Sequence, residues 1–80
     1  MDTKIAVVAV IVSDLSAVER INALFHEFGS FIIGRLGIPH REKGVNVISV
    51  VMDAPQEIIN SLSGKLGMIK GVSSKVLTTK

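Results

Sequence analysis

Glu19-Arg20-Ile21-Asn22-Ala23-Leu24-Phe25-His26-Glu27-Phe28-Gly29 recurs in outline 38 positions later as Glu57-Ile58-Ile59-Asn60-Ser61-Leu62-Ser63-Gly64-Lys65-Leu66-Gly67. The matching pairs are Glu19 with Glu57, Ile21-Asn22 with Ile59-Asn60, Leu24 with Leu62, Phe28 with Leu66 and Gly29 with Gly67. Apolar residues spaced three or four apart fall on one face of a helix. Val18, Ile21, Phe25 and Phe28, widened by Leu24, supply that face in the first copy, and Ile58, Ile59, Leu62 and Leu66 in the second. Ser16 and Glu19 have capping-box spacing, so Ser16 is expected to open the first helix. Pro55 stands where a first helical turn tolerates proline. Gly29 and Gly67 suit the left-handed position that ends helices. Gly64, inside the second helix, weakens it by roughly 1 kcal/mol relative to alanine.

Each copy follows an apolar strand that ends in an aspartate, Asp14 or Asp53. Ile5 to Val12 is apolar throughout and mostly β-branched. Without alternation, it reads as a strand buried on both faces. Phe31 to Ile38 and Val45 to Met52 read as two further strands, joined by Pro39 to Gly44 as a hairpin with a long tip. A fourth strand, Val72 to Thr79, sets Val72, Ser74, Val76 and Thr78 against Ser73, Lys75, Leu77 and Thr79. Strand–helix–strand twice over is the β-α-β-β-α-β pattern of the ferredoxin-like fold. The expected class is α+β: a two-layer sandwich with a four-stranded antiparallel sheet and two helices on one face, one domain over residues 1–80.

A chain of 80 residues with 48% hydrophobic content is a small globular domain rather than a disordered segment. Nine Lys and Arg against seven Asp and Glu leave a net charge of +2, too little to imply a nucleic-acid partner. With no cysteine, disulfides, thiol chemistry and cysteine metal sites are excluded. The longest apolar run, Ile5 to Val12, falls far short of the roughly 20 residues of a membrane span. Asp2, Lys4 and Ser13-Asp14 flank it with no small-residue cleavage site, so it is not read as a leader, and a cytoplasmic protein is expected.

Helices on one sheet face leave the other to be explained. Ile5, Val7, Ala9 and Ile11 oppose Ala6, Val8, Val10 and Val12 on strand one, and Val45, Val47 and Val51 oppose Ile48, Val50 and Met52 on strand three. Left bare, the second face would expose several hundred Å², more than soluble monomers usually carry. Burial of one aliphatic side chain contributes roughly 1.5–3 kcal/mol before opposing terms, so four or five can hold a dimer. Self-association through this face or through an edge strand is expected.

Candidate chemistry is sparse. His26 and His40 are the only histidines, and neither has the spacing of a metal site, so no metal or cofactor is expected. No Gly-x-Ser-x-Gly occurs, and Gly34-x-x-Gly37 lacks the Lys-Ser/Thr ending of a phosphate loop. Strands one and three hold no aromatic residue for stacking bases, and Lys65, Lys70, Lys75 and Lys80 are scattered, so direct nucleic-acid binding is not expected. What remains is Ser13-Asp14-Leu15-Ser16, where free amides at a helix start can hold an anion, and two arginines able to fork onto one. Ser13, Asp14, Arg35, His40 and Arg41 are therefore the ligand-binding candidates, at a junction between subunits, and no catalytic residue is assigned. Two alternatives stay open: a small ferredoxin-like enzyme of the dimeric α/β-barrel oxygenase type, with His26 or His40 as acid–base, and a purely structural interaction module.

Ile32-Ile33-Gly34-Arg35-Leu36-Gly37-Ile38-Pro39-His40-Arg41-Glu42-Lys43, then Ile48-Ser49-Val50-Val51-Met52-Asp53-Ala54-Pro55 and Gly64-Lys65-Leu66-Gly67-Met68-Ile69-Lys70-Gly71-Val72, resemble the iron-only hydrogenase system regulators along essentially the whole chain. The resemblance implies a small stand-alone ferredoxin-like domain, related in shape to ACT domains and to the ligand-binding half of nickel-responsive repressors. It also implies regulation linked to [FeFe]-hydrogenase maturation genes in anaerobes, and carries over no catalytic residues. ACT domains commonly carry a glycine after strand one to admit an amino acid; here that loop is Ser13-Asp14-Leu15-Ser16. The histidines, cysteine and DNA-binding segment of the nickel-responsive repressors have no counterpart. The expectation is thus a homo-oligomeric regulatory or ligand-sensing module that is not an enzyme and acts through a protein partner.

Overall fold

The computed structural model describes residues 2–79; Met1 and Lys80, the last of the scattered lysines, lie outside the described residues. The chain runs β1 (Lys4–Val12), α1 (Val18–Glu27), β2 (Ile32–His40), β3 (Val45–Ala54), α2 (Gln56–Gly67) and β4 (Val72–Thr78). The strands form one antiparallel sheet in the order β2-β3-β1-β4, the ferredoxin-like arrangement. β1 and β3 are central and pair without a break from Lys4 with Ala54 to Val12 with Asn46. β2 pairs with β3 through an irregularity between Ile32 and Gly34.

The period of two decides the core. Ala6, Val8, Val10 and Val12 of β1 and Ile48, Val50, Met52 and Ala54 of β3 are buried beneath the helices. Ile21, Phe25 and Phe28 meet them from the first helical segment, and Ile59, Leu62 and Leu66 from α2. Among the described residues no polar side chain is buried, so side chains hold the core by hydrophobic burial and dispersion, beside the backbone ladder of the sheet. The two helix copies also meet directly: the Lys65 Nζ lies 2.7 Å from Glu27 Oε2, and these are equivalent positions of the 38-residue repeat. Both side chains are half exposed, which limits this ion pair to about 1 kcal/mol.

Four local expectations are corrected. β1 is not buried on both faces within one chain, because Ile5, Val7 and Ile11 are exposed on the side away from the helices. Ser16 does not cap α1: the Asp14 carboxylate accepts from the Ser16 amide at 3.0 Å and from its hydroxyl at 2.6 Å. A carboxylate is the stronger acceptor, so the chain first makes a 3-10 turn over Leu15–Ala17, and α1 begins at Val18. Gly29 and Gly67 are not left-handed; the glycines with positive φ are Gly44 and Gly71. After α1 the chain instead rolls into a 3-10 turn over Gly29–Phe31, and Gly67 is still helical. The hairpin tip is shorter than expected, since Pro39 and His40 remain in β2, paired with Asn46 and Val45. β2 is an edge strand, where a sheet tolerates proline.

Candidate functional site

Three regions hold the candidate residues. The first is a joint at one end of the sheet, where the β1–α1 loop meets the turn before β4. The Ser13 amide donates to the Gly71 carbonyl at 2.8 Å, the Ser13 hydroxyl to the same oxygen at 3.1 Å, and the Asp14 amide at 3.3 Å. Gly71 has a φ of +82°, and a Cβ there would collide with the Asp14 Cβ. Ser13 and Asp14 thus spend their polar groups inside the chain, on Gly71 and Ser16. The hydroxyl of Ser16, then its amide, and then the charge of Lys70 hold the Asp14 carboxyl below the ordinary aspartate value of 3.8. With the folded value below the unfolded one, this contribution to stability is complete above the ordinary value. It is lost as pH falls through the lowered one. Carbon-detected NMR titration is expected to show the Asp14 midpoint rising toward 3.8 in Ser16→Ala.

The second region is the hairpin tip. A 3-10 turn over Arg41–Lys43 is closed by Gly44 at a φ of 65°. His40 and Arg41 border a shallow depression of about 290 Å³ whose other wall includes Leu15 and Asn46. The β1–α1 loop therefore reaches the tip through Leu15.

Arg35 lies elsewhere. It stands opposite Val50, on the helix side of the edge strand. Its guanidinium donates to Asn22 Oδ1 at 2.9 Å and lies over the Phe25 ring, 5.1 Å from the centroid. Two adjoining depressions of about 330 and 240 Å³ share Asn22 and Arg35 and run along the groove between α1 and β2. The five candidates are not brought together: they divide among the joint, the tip and this groove. His26 borders the groove and His40 the tip. Asn22 escaped the reading of the sequence, although Asn22, Phe25 and His26 share a helix face by their spacing of three and four. Its repeat mate Asn60 accepts instead from Gln56 within α2.

The side of the sheet away from the helices is an exposed apolar surface. Ile5, Val7, Ile11, Leu36, Ile38, Val47 and Leu77 share it by register, with exposures from 37% at Val7 to 73% at Leu77. Among the described residues, no helix is long and apolar enough to cross a membrane.

A search of curated proteins finds no match. Among solved structures, the uncharacterized protein TM1266 from Thermotoga maritima is similar over 99% of this chain and all of its own, at 32% identity and a TM-score of 0.94. A formyltetrahydrofolate deformylase from Pseudomonas putida KT2440 shares the fold at 15% identity and a TM-score of 0.60, matching 92% of this chain but 28% of the deformylase. The family profile described as "TM1266-like: Iron-only hydrogenase system regulator, putative" matches residues 4–76. By that match and by its likeness to TM1266, this chain belongs to the TM1266-like family of iron-only hydrogenase system regulators.

Proposed function

We propose that the protein is a regulatory, ligand-sensing module of the iron-only hydrogenase system, working in the cytoplasm as a homo-oligomer and not as an enzyme. The open sheet face carries this reading. Its seven aliphatic side chains are 37% to 73% exposed and lie together, and contiguous apolar patches of this kind mark association surfaces. Among the described residues the face also carries one carboxylate, Asp53, and one ammonium, Lys75, so a second copy brings no excess of like charge. A second copy of this chain is therefore its occupant. Family membership supports regulation over catalysis. In this reading the regulatory output passes through the surface of the ferredoxin-like unit to a partner protein.

Sedimentation velocity at micromolar concentration is expected to give a dimer or a higher closed oligomer, and a monomer there overturns the assembly. A thermal-shift screen run on the same sample reads sensing separately. At least one small ligand should raise the melting temperature, and a flat response across amino acids, nucleotides and small anions favours a structural interaction module.

A further inference from the structure

We infer that the groove between α1 and β2 is an anion site in which Arg35 forks onto the carboxylate or phosphate of a small organic ligand. Two cations of the molecule, each over a phenylalanine ring, differ in their partners. Lys65 lies over the Phe28 ring at 5.3 Å and has Glu27 at 2.7 Å, so its charge is matched. Arg35 lies over the Phe25 ring in the same manner, but among the described residues no carboxylate pairs with it. Its one side-chain hydrogen bond goes to the neutral oxygen of Asn22, which leaves most of the fork's five N–H donors open. No acidic residue borders either depression, while His26 and Asn46 add polar groups at opposite ends. A guanidinium already oriented by a ring and an amide loses little freedom on taking a planar oxyanion.

The groove has room for more than the anion. Gly37 follows Arg35 on the same side of β2, and a Cβ there would meet nothing within 4 Å. Phe25, Ile32, Pro39 and Ile48 give the walls an apolar character suited to a ring or short chain. The larger depression, about 330 Å³, by itself lies at the lower end of the size range of small-ligand sites, roughly 300–1,000 Å³. This site gives the sensing part of the proposed function its ligand class, and it rests on that reading.

The test is a titration of the ¹⁵N-labelled full chain, following the Arg35 Nε–H and Asn22 side-chain amide signals. Acetate and inorganic phosphate serve as bare anions, benzoate and phenyl phosphate as anions with an apolar body. Saturating shifts are expected, with the aromatic probes binding about tenfold more tightly than their bare anions, and the stronger arm names the headgroup. Arg35→Gln should weaken binding at least about tenfold, and Arg35→Lys less, because it keeps the charge and loses the fork. Gly37→Val should weaken the aromatic probes while sparing the bare anions. Shifts that never saturate, or that survive Arg35→Gln unchanged, overturn the site. Sedimentation of Arg35→Gln separates the two readings: an unchanged oligomer leaves the assembly standing whatever the titration gives.

Discussion

Gly71→Ala is expected to lower the melting temperature by about 12–24 °C, taking a loss of about 3 kcal/mol and 4–8 °C per kcal/mol for a domain of this size. The loss has two sources. A left-handed backbone strains any residue with a Cβ by about 1–2 kcal/mol. The new methyl also collides with Asp14, so the loop must retreat from the Gly71 carbonyl, which now accepts from the Ser13 amide, the Ser13 hydroxyl and the Asp14 amide. Each weakened hydrogen bond adds roughly 0.5–1.5 kcal/mol. Gly44→Ala is the control, because Gly44 is also left-handed but its missing Cβ would face open space. It should lose about 1 kcal/mol, and Gly44→Asn less, since asparagine tolerates that conformation. Urea unfolding of the three variants at one protein concentration checks the ranking. Equal losses for Gly71→Ala and Gly44→Ala would show that the contact with Asp14 contributes nothing.

The parts of this molecule that repeat were legible, and the parts that depend on a single contact were not. The 38-residue repeat and the periods of the strands specify the two helices, four strands and their layers, because burial acts on every turn and every second residue. Even the central pair of strands is visible in the doubled apolar faces of Ile5 to Val12 and Val45 to Met52. The helix ends went astray because they turn on which of several adjacent acceptors wins. Ser16 and Asp14 both suit the start of α1, and only the geometry shows the carboxylate taking both the hydroxyl and the amide of Ser16. Gly29 and Gly67 match the composition of helix ends, yet α1 leaves through a 3-10 turn and after α2 the left-handed turn is delayed to Gly71, where it lets two loops touch.

The candidate residues show the same divide. Arg35, His40 and Arg41 lie close in sequence, but His40 and Leu36 fall on the open face of β2 while Arg35 and Gly37 fall beneath the helices. Period two therefore separates residues that a linear reading groups. The partner of Arg35 comes from α1, 13 positions earlier, and no local pattern pairs Asn22 with it.

Val7→Lys is expected to break the proposed oligomer while leaving the fold intact, and Val8→Lys to unfold the chain. The two valines are neighbours in β1 with opposite surroundings. Val7 lies on the open face between Val51 and Leu77, and Val8 is fully buried under the helices between Val50 and Val76. In a monomer a lysine at position 7 keeps its ammonium in water and its stem along the sheet. In a twofold assembly through this face, each copy carries one ammonium into an apolar interface, at an effective penalty of several kcal/mol per ion. Since about 1.4 kcal/mol is tenfold in affinity, the dissociation constant should rise by at least about 10³-fold. Sedimentation velocity reads the assembly, and amide dispersion or far-ultraviolet dichroism reads the fold. An oligomer that survives Val7→Lys is not joined by the open face. The exposed edge of β2 or of β4 then becomes the seam, because an edge strand offers unpaired backbone groups to a second chain. A Val7→Lys protein that unfolds like Val8→Lys would instead mean that the open face is not solvent-compatible even within one copy. That outcome would contradict the exposure of Val7 on which the assembly rests.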